Sequence, residues 1–279
     1  MPDARLLAGA ITVLGASAAG LGVPAATPRP PEVTQTPTFD APPHTLPEAL
    51  RRWLDTAHHG LIQRAETACF VASGRLRVGR SPWLPVAYRT VHELGHSFAA
   101  DITATWYGRP VLRAQDGFVD RRGVAAVRGE VTVGPGLDQS AVSFLWSEAI
   151  LIPASWTLPG VTFKQIEADH VLVQVRSDAD VAGPLSAHLR FDAETGLPRS
   201  FSVPWRARGS EGVDGAPWSV EYLDWSPAER GLAPTQSIVQ WGDERRPWLR
   251  LRLQPPVLNV PVTDQLHQIR TLLESGEQG

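Results

Sequence analysis

The sequence is poor in cysteine, in lysine and in net charge. Its 279 residues include one cysteine, Cys69, so no internal disulfide can form and no cysteine-based zinc cluster can be assembled. A lone thiol in the strand-like run TACFVAS is expected to be a small buried hydrophobe. Lys164 is the single lysine, and arginine carries the rest of the positive charge, a pattern of codon usage rather than of function. The formal net charge is -3 and the sequence pI about 6.2. That balance argues against nucleic-acid binding driven by a global basic field.

Long apolar runs are also scarce, and the one present lies at the N-terminus. After MPDAR, where Arg5 opposes Asp3, comes LLAGAITVLGASAAGLGVPAA, from Leu6 to Ala26. It is about as long as a membrane span requires. Small-residue cleavage sites occur at Ala16-Ser17-Ala18 and Val23-Pro24-Ala25. Residues 1–26 are therefore expected to be an export signal or an uncleaved membrane anchor. The protein would be periplasmic, extracellular or anchored in the cell membrane. No cysteine follows the run, which closes the lipoprotein route. Residues 27–44 are rich in proline and threonine, lack periodicity and read as a linker.

Folding is expected to begin at Thr45-Leu-Pro-Glu48, which has the spacing of a capping box. Leu46, Leu50, Trp53, Leu54 and Ala57 then form a helical apolar stripe that ends at Gly60. His58 and His59 fall in the last turn, where the helix dipole favours cations; a metal-binding role for the pair is the lesser reading. From Thr67 onward the dominant period is two. Val171, Val173 and Val175 share one face against Leu172, Gln174 and Arg176, and Leu185, Ala187, Leu189 and Phe191 oppose Ser186, His188 and Arg190. DAETGLPRSFSV reads as a hairpin turn, and LRLRLQ alternates again. Similar runs occupy 67–78, 83–91, 110–118, 123–134, 217–224 and 235–241. The spacing predicts an antiparallel sheet with one face buried.

One helix should interrupt the strands. Asp138 is placed to cap it, and Val142, Leu145, Ala149 and Ile152 lie at helical spacing, with Phe144 and Trp146 widening the apolar surface. Such a helix should be largely buried against the sheet. Glu148 is its polar exception, to be paired with an arginine or placed for function. A second amphipathic stretch, Val262 to Glu274, predicts a C-terminal helix.

His92-Glu93-Leu94-Gly95-His96 satisfies the HExxH pattern. On a helix, His92 and His96 would hold zinc and Glu93 would act as general base on the metal-bound water. The neighbouring residues argue otherwise. Phe98, Ala100, Ile102, Ala104 and Trp106 alternate strictly with polar or small residues, as a strand does. The extended form of the motif needs Gly at 99 and His at 102, where this chain has Ala99 and Ile102. Glu148 is the one carboxylate offered as a third ligand. His92 and His96 are expected to flank a tight connection around Leu94-Gly95 between two strands, and the motif to be a chance match.

The segments GRLRV, SPWLPVAYR, SFAADITATW, RPVLRAQDGFVDRRG, LWSEAILIPASW, DAETGLPRSF, PWSVEY and SIVQW follow in an order that resembles the bacterial families called domains of unknown function 6544 and 6920. The resemblance runs from about Leu46 to Pro256. It places Trp83, Phe98, Asp116, Gly123, Glu148, Pro153 and Trp156 on family-pattern positions. Ala99 and Ala100 stand where a second aromatic would be expected, and Leu145-Trp146 where an arginine-tyrosine pair would be.

The resemblance implies a mainly β (α+β) fold similar to the LolA/LolB carriers: one strongly curved antiparallel sheet, a half-barrel, with helices plugging its concave side. The half-barrel would span 45–260 and a C-terminal helix and tail 261–279. The expected function is a non-enzymatic, extracytoplasmic one, binding an apolar small molecule such as a lipid or acyl chain. Phe98, Ile102, Trp106, Trp146 and Trp156 would line the site, with Glu148 as polar anchor. No cofactor is expected. The alternatives are a zinc peptidase built on His92, His96 and Glu93, and a structural module of the cell envelope.

Overall fold

The computed structural model describes residues 25–31, 36–77, 82–176, 185–228 and 231–277. Residues 1–24 of the expected export signal or anchor lie outside them. Among the described residues no helix is long and apolar enough to cross a membrane. Part of the expected linker is paired: β1 (Phe39–Asp40) lies antiparallel to β2 (Ile62–Gln63), and Asp40 holds Arg64 in an exposed ion pair.

Between them runs α1 (Glu48–His58), which buries the expected stripe of Leu50, Trp53, Leu54 and Ala57. The capping box does not form. Pro47 takes the N-cap position and no side chain caps the helix, so Thr45 sits two residues too early to reach the first amides.

The sheet is a path of consecutive antiparallel strands in two meanders. The first is β3 (Thr67–Leu76), β4 (Leu84–Glu93), β5 (Ser97–Trp106), β6 (Arg109–Val119), β7 (Arg122–Val127) and β8 (Glu130–Val133). The second is β9 (Val161–Glu167), β10 (His170–Val175), β11 (Leu185–Phe191), β12 (Pro198–Arg208), β13 (Asp214–Ala228), β14 (Gly231–Trp241) and β15 (Leu249–Leu253). They join where β3 pairs with β15, and the short β16 (Val257–Leu258) pairs with the other end of β3. Strands β8 and β9 are thus the two open edges, and the sheet does not close into a barrel.

Turn chemistry sets this register. Tyr107-Gly108, Asp120-Arg121 and Arg128-Gly129 all have positive φ at both positions, the two-residue hairpin geometry whose twist matches that of strands. The last of these splits the run expected as one strand at 123–134 into β7 and β8. Strand β9 was absent from the alternation reading, because Val161–Glu167 is mostly exposed on both faces and so carries no period-two contrast. As an edge it bears Lys164 and Glu167, charges that discourage pairing with a further strand.

Because β8 and β9 are opposite edges, the chain between them must cross the sheet. It does so through α2 (Pro135–Glu148) and two 3-10 turns, Ala149–Leu151 and Pro153–Thr157. Helix α2 packs on both β7 and β12, which are eight strand steps apart in the sheet order. In a flat sheet eight steps span about 38 Å, whereas a helix is about 10 Å across. One helix touches both strands only because the sheet curls around it. The concave side of the half-barrel is therefore filled, with every residue from Gly136 to Glu148 buried.

Helix α2 begins four residues earlier than a cap at Asp138 would suggest, with Gly134 as N-cap and Pro135 in its first turn. Asp138 does not cap it; its carboxylate accepts the Gly123 N–H of β7 at 2.6 Å. The helix stops at Glu148 rather than continuing to Ile152. Pro153 forces the preceding residue out of helical geometry, and Ile152 sits at φ -133° and ψ 82°.

Helix α3 (Thr263–Glu277) covers the convex face of the first meander. Leu266, Ile269 and Leu273 pack with Cys69, Val71, Val91, Ala99, Val119 and Val124. Cys69 is fully buried, as its sequence context suggests, and burial raises its thiol pKa.

Helix α2 and the sheet touch closely at Gly123, where a β-carbon would lie 2.4 Å from the Leu137 carbonyl oxygen. Gly123→Ala is expected to displace α2 at a cost of about 2 kcal/mol. That corresponds to a fall of roughly 4–8 °C in Tm, measurable by circular dichroism.

Candidate functional site

Two features beneath and beside α2 collect the polar side chains the sequence singled out. The first is a buried trio. Glu148, the last residue of α2, is 9% exposed and reaches down to β4. Its Oε1 accepts the Tyr88 hydroxyl at 2.7 Å and its Oε2 lies 2.7 Å from His92 Nε2. The expected arginine partner is replaced by a phenol and an imidazole. The hydroxyl of Thr90 lies 3.3 Å from the same His92 nitrogen. Phe70 of β3 and Phe98 of β5 stack on the two sides of the His92 ring, at centroid distances of 5.1 and 5.9 Å. Tyr222 of β13 donates to the Ser147 carbonyl one residue before. Burial, followed by the Glu148 charge, holds the Tyr88 and Tyr222 phenols well above the ordinary tyrosine range. Both remain hydrogen-bond donors at physiological pH.

The HExxH residues are pulled apart by the strands. His92 is the penultimate residue of β4 and Glu93, on the opposite face, is exposed. Leu94-Gly95-His96 forms a three-residue connection to β5, with Glu93 opposite Ser97 and Gly95 at φ 71°. His92 is 2% exposed within the core, whereas His96 is at the surface. The helical face on which the motif would hold zinc does not exist. Among the described residues, no group of three or more His, Cys, Asp or Glu is placed to hold a metal ion.

The residues offered as a ligand lining divide. Phe98 and Ile102 lie buried on β5, whereas Trp106 is half-buried at its end against Tyr107. Trp146 and Trp156 pack on each other at 5.6 Å, and the Trp156 N–H bonds the Ala149 carbonyl at 3.0 Å. These are the contacts by which the sheet holds α2 and its following turns.

Arg206 was not anticipated. It is 1% exposed, with its guanidinium carbon 4.6 Å from the Trp218 ring and 5.2 Å from Trp241, and its Nε donates to the Ser140 carbonyl of α2. Burial lowers its pKa to about 9, and the Asp116 charge works against that. A bulge hid it: the β12–β13 register shifts between Val203 and Arg206. Trp205 is thereby turned outward, 40% exposed, and Arg206 inward.

The second feature is a cavity of about 670 Å³ at one end of the half-barrel. Ile150, Leu151 and Pro153 of the 3-10 turns form one wall, Phe39 and Leu61 of the β1–β2 region a second, and Trp225, Leu232 and Pro234 of the β13–β14 hairpin a third. His58 and His59 enter from the end of α1. Gly231 allows this junction: at φ +100°, a β-carbon there would lie 1.8 Å from the Ala57 carbonyl oxygen. Among the described lining residues none is Asp, Glu, Lys or Arg, and none of Phe98, Ile102, Trp106, Trp146, Glu148 and Trp156 reaches the cavity.

His58 departs from the cationic role its place in the last turn suggested. Burial first, and the neighbouring His59 second, lower its pKa from an imidazole's ordinary 6.5 to about 4. Desolvation outweighs the helix dipole here.

The fold and its filled concave side define a class: one large antiparallel sheet, not closed into a barrel, curled around a buried helix. The chain belongs to a family of unknown function, DUF6544, whose model matches residues 35–251. No curated protein matches it. Among solved structures it is similar to a LolA superfamily protein from Nitrosomonas europaea, at 9% identity and a TM-score of 0.46, over 77% of this chain and 94% of that one. It is also similar to a putative outer membrane lipoprotein-sorting protein domain from Vibrio parahaemolyticus (6%, 0.43, 73% and 90%). A DUF1329 family protein from Desulfovibrio piger is a third (10%, 0.40, 72% and 88%). With TM-scores below 0.5 and identities of 10% or less, nothing about ligand or activity carries over from them.

Removing the Glu148 carboxylate leaves the Tyr88 hydroxyl and His92 imidazole buried without their acceptor. Glu148→Ala is expected to cost about 3 kcal/mol and to lower Tm by roughly 6–12 °C in a thermal melt. The His58 pKa gives a second expectation. Between pH 6.5 and about 4 the unfolded chain binds the proton that folded His58 refuses, so stability is lost as pH falls through that window. The full penalty is about 3 kcal/mol. Denaturant titrations of His58→Phe should show a shallower decline over the same range.

Proposed function

We propose that this protein is a non-enzymatic, extracytoplasmic binder of an apolar ligand, a lipid or acyl chain. The observation that carries this reading is the cavity of about 670 Å³ walled by Phe39, Leu61, Ile150, Leu151, Trp225 and Leu232. A volume of this size suits a small molecule or chain, and the apolar side chains named offer such a ligand a surface beside the polar groups of His58, His59, Gln63 and Asn259. Phe39 and Leu61, among the more exposed large apolar side chains, stand at the cavity and give it an apolar rim.

Residues 1–26 serve in this reading as the export signal or anchor, and 27–44 as a tether that holds the cavity near a membrane. A zinc peptidase has no support from any observation of geometry. A second placement of the ligand keeps the concave side as the site: α2 would be displaced, and the chain would rest on Phe98, Ile102, Trp106, Trp146 and Trp156 with Glu148 as anchor. It is favoured by their apolar and largely aromatic character and opposed by the filled core around α2.

The two placements separate in one experiment. The full chain, stripped of endogenous lipid on a hydrophobic resin, is titrated with the apolar fluorophore N-phenyl-1-naphthylamine. Saturable binding that weakens about tenfold in Leu232→Glu and little in Trp146→Phe is expected. The reverse ranking would move the site beneath α2. No saturable binding, together with extraction of no lipid from the purified protein, would leave a structural envelope module.

A further inference from the structure

Strand β15 alternates strictly, burying Leu249, Leu251 and Leu253 and turning Arg250 and Arg252 outward to the convex face. This is the junction of the two meanders, beyond the part of β3 that α3 covers at Cys69 and Val71. The residues directly opposite Arg250 are Arg75 and Ile238, and those opposite Arg252 are Ser73 and Gln236. Neither arginine meets a carboxylate across the ladder; Glu221 comes one strand further on, opposite Ile238. Like charges set opposite one another destabilise a sheet, so the pairing of Arg75 with Arg250 is a local cost.

The neighbouring loop adds to the same charge. Arg77 donates to the carbonyls of Arg246 and Pro247, both at 3.1 Å, which ties the 242–248 loop to the end of β3. Trp83 is shared by two cations, with the guanidinium carbons of Arg77 and Arg250 at 5.7 and 5.4 Å from its ring. The acidic residues of the loop, Asp243 and Glu244, are engaged by Arg208 at 2.5 and 3.9 Å. Arg245, Arg246, Arg250 and Arg252 are exposed, and among the described residues none of the four makes an ion pair. The chain as a whole carries a net charge of -3, so positive charge is segregated here rather than general. Arginine is suited to phosphate oxygens, and tryptophan to the polar interface of a bilayer. Spread over two strands and a loop, the arginines fit an array of head groups better than a single ion.

We propose that the convex face at the β3–β15 junction is a docking surface for an anionic membrane, where Arg75, Arg77, Arg245, Arg246, Arg250 and Arg252 meet lipid phosphates around Trp83. The inference goes beyond the reading of the end cavity and does not depend on a ligand there. It takes from that reading only the extracytoplasmic placement, which favours a membrane over a nucleic acid.

The test is cosedimentation of the full chain with vesicles of phosphatidylcholine, made with and without phosphatidylglycerol. The apolar run at residues 6–26 contributes to both, so the difference between the two compositions reads the charged surface. Binding about tenfold tighter to the anionic vesicles is expected, and the difference should vanish at about 0.5 M NaCl. Arg250→Gln combined with Arg252→Gln should reduce it to about twofold or less, whereas Arg51→Gln, at an exposed position of α1, should leave it intact. All three positions are exposed, and circular dichroism checks that the variants fold. Equal binding to both vesicle types, or a preference that survives the double substitution, would overturn the proposal. Displacement from the anionic vesicles by duplex DNA at equal phosphate concentration would assign the surface to a nucleic acid and overturn the choice of a membrane. N-phenyl-1-naphthylamine binding should be unchanged in the double variant, so this proposal and the reading of the end cavity fail separately.

Discussion

A helix with no wet face holds this structure together. Helix α2 is buried from Gly136 to Glu148, and an isolated antiparallel sheet of this width would have no reason to curl so tightly. Each half of the sheet has an apolar face to cover, and α2 is the surface both can use. The contact on one side is close enough to require Gly123. On the other, Gln139 and Arg206 bind backbone groups across the helix–strand boundary, Gln139 accepting the Ala207 N–H at 2.7 Å. Curvature, the filled concave side and the position of the end cavity all follow from this grip.

A helix buried on all sides brings polar groups with it, and those groups must be satisfied inside. Glu148 shows the solution at the C-terminal end, where Tyr88 and His92 supply two hydrogen bonds from one strand. Asp138 shows it at the other, through the Gly123 amide. These bonds lock α2 in register against β4 and β7. The same trio that resembles catalytic machinery in composition is closed off by Phe70, Phe98 and Phe144, and its geometry is that of an internal clamp. The end cavity differs in that respect: it is bounded by turns and hairpin ends, the parts of a half-barrel free to vary without disturbing the sheet.

Much of the architecture was legible from alternation. Runs such as Val171–Val175 and Leu185–Phe191 expose one parity and bury the other, and the strand character of Phe98–Trp106 outweighed a helical zinc motif two residues upstream. The stripe of α1 and the burial of α2 were likewise visible as helical spacing. What escaped has physical causes. Arg128-Gly129 makes a tight turn without the asparagine or aspartate that usually signals one. Strand β9 lacks a buried face. Arg206 points inward because a bulge at Pro204-Trp205 reverses the parity that the sequence repeats.

The sequence by itself determined the local conformations. Period-two patterning, positive-φ turns and proline positions act over a few residues, and their energetics are the same wherever the segment ends up. Tertiary structure decided the partners. Glu148 meets Tyr88 and His92 across separations of 60 and 56 residues, and the walls of the end cavity come from five stretches of chain between Pro37 and Asn259. Such neighbours are set by how a curled sheet closes on its helix, and no local pattern encodes that closure.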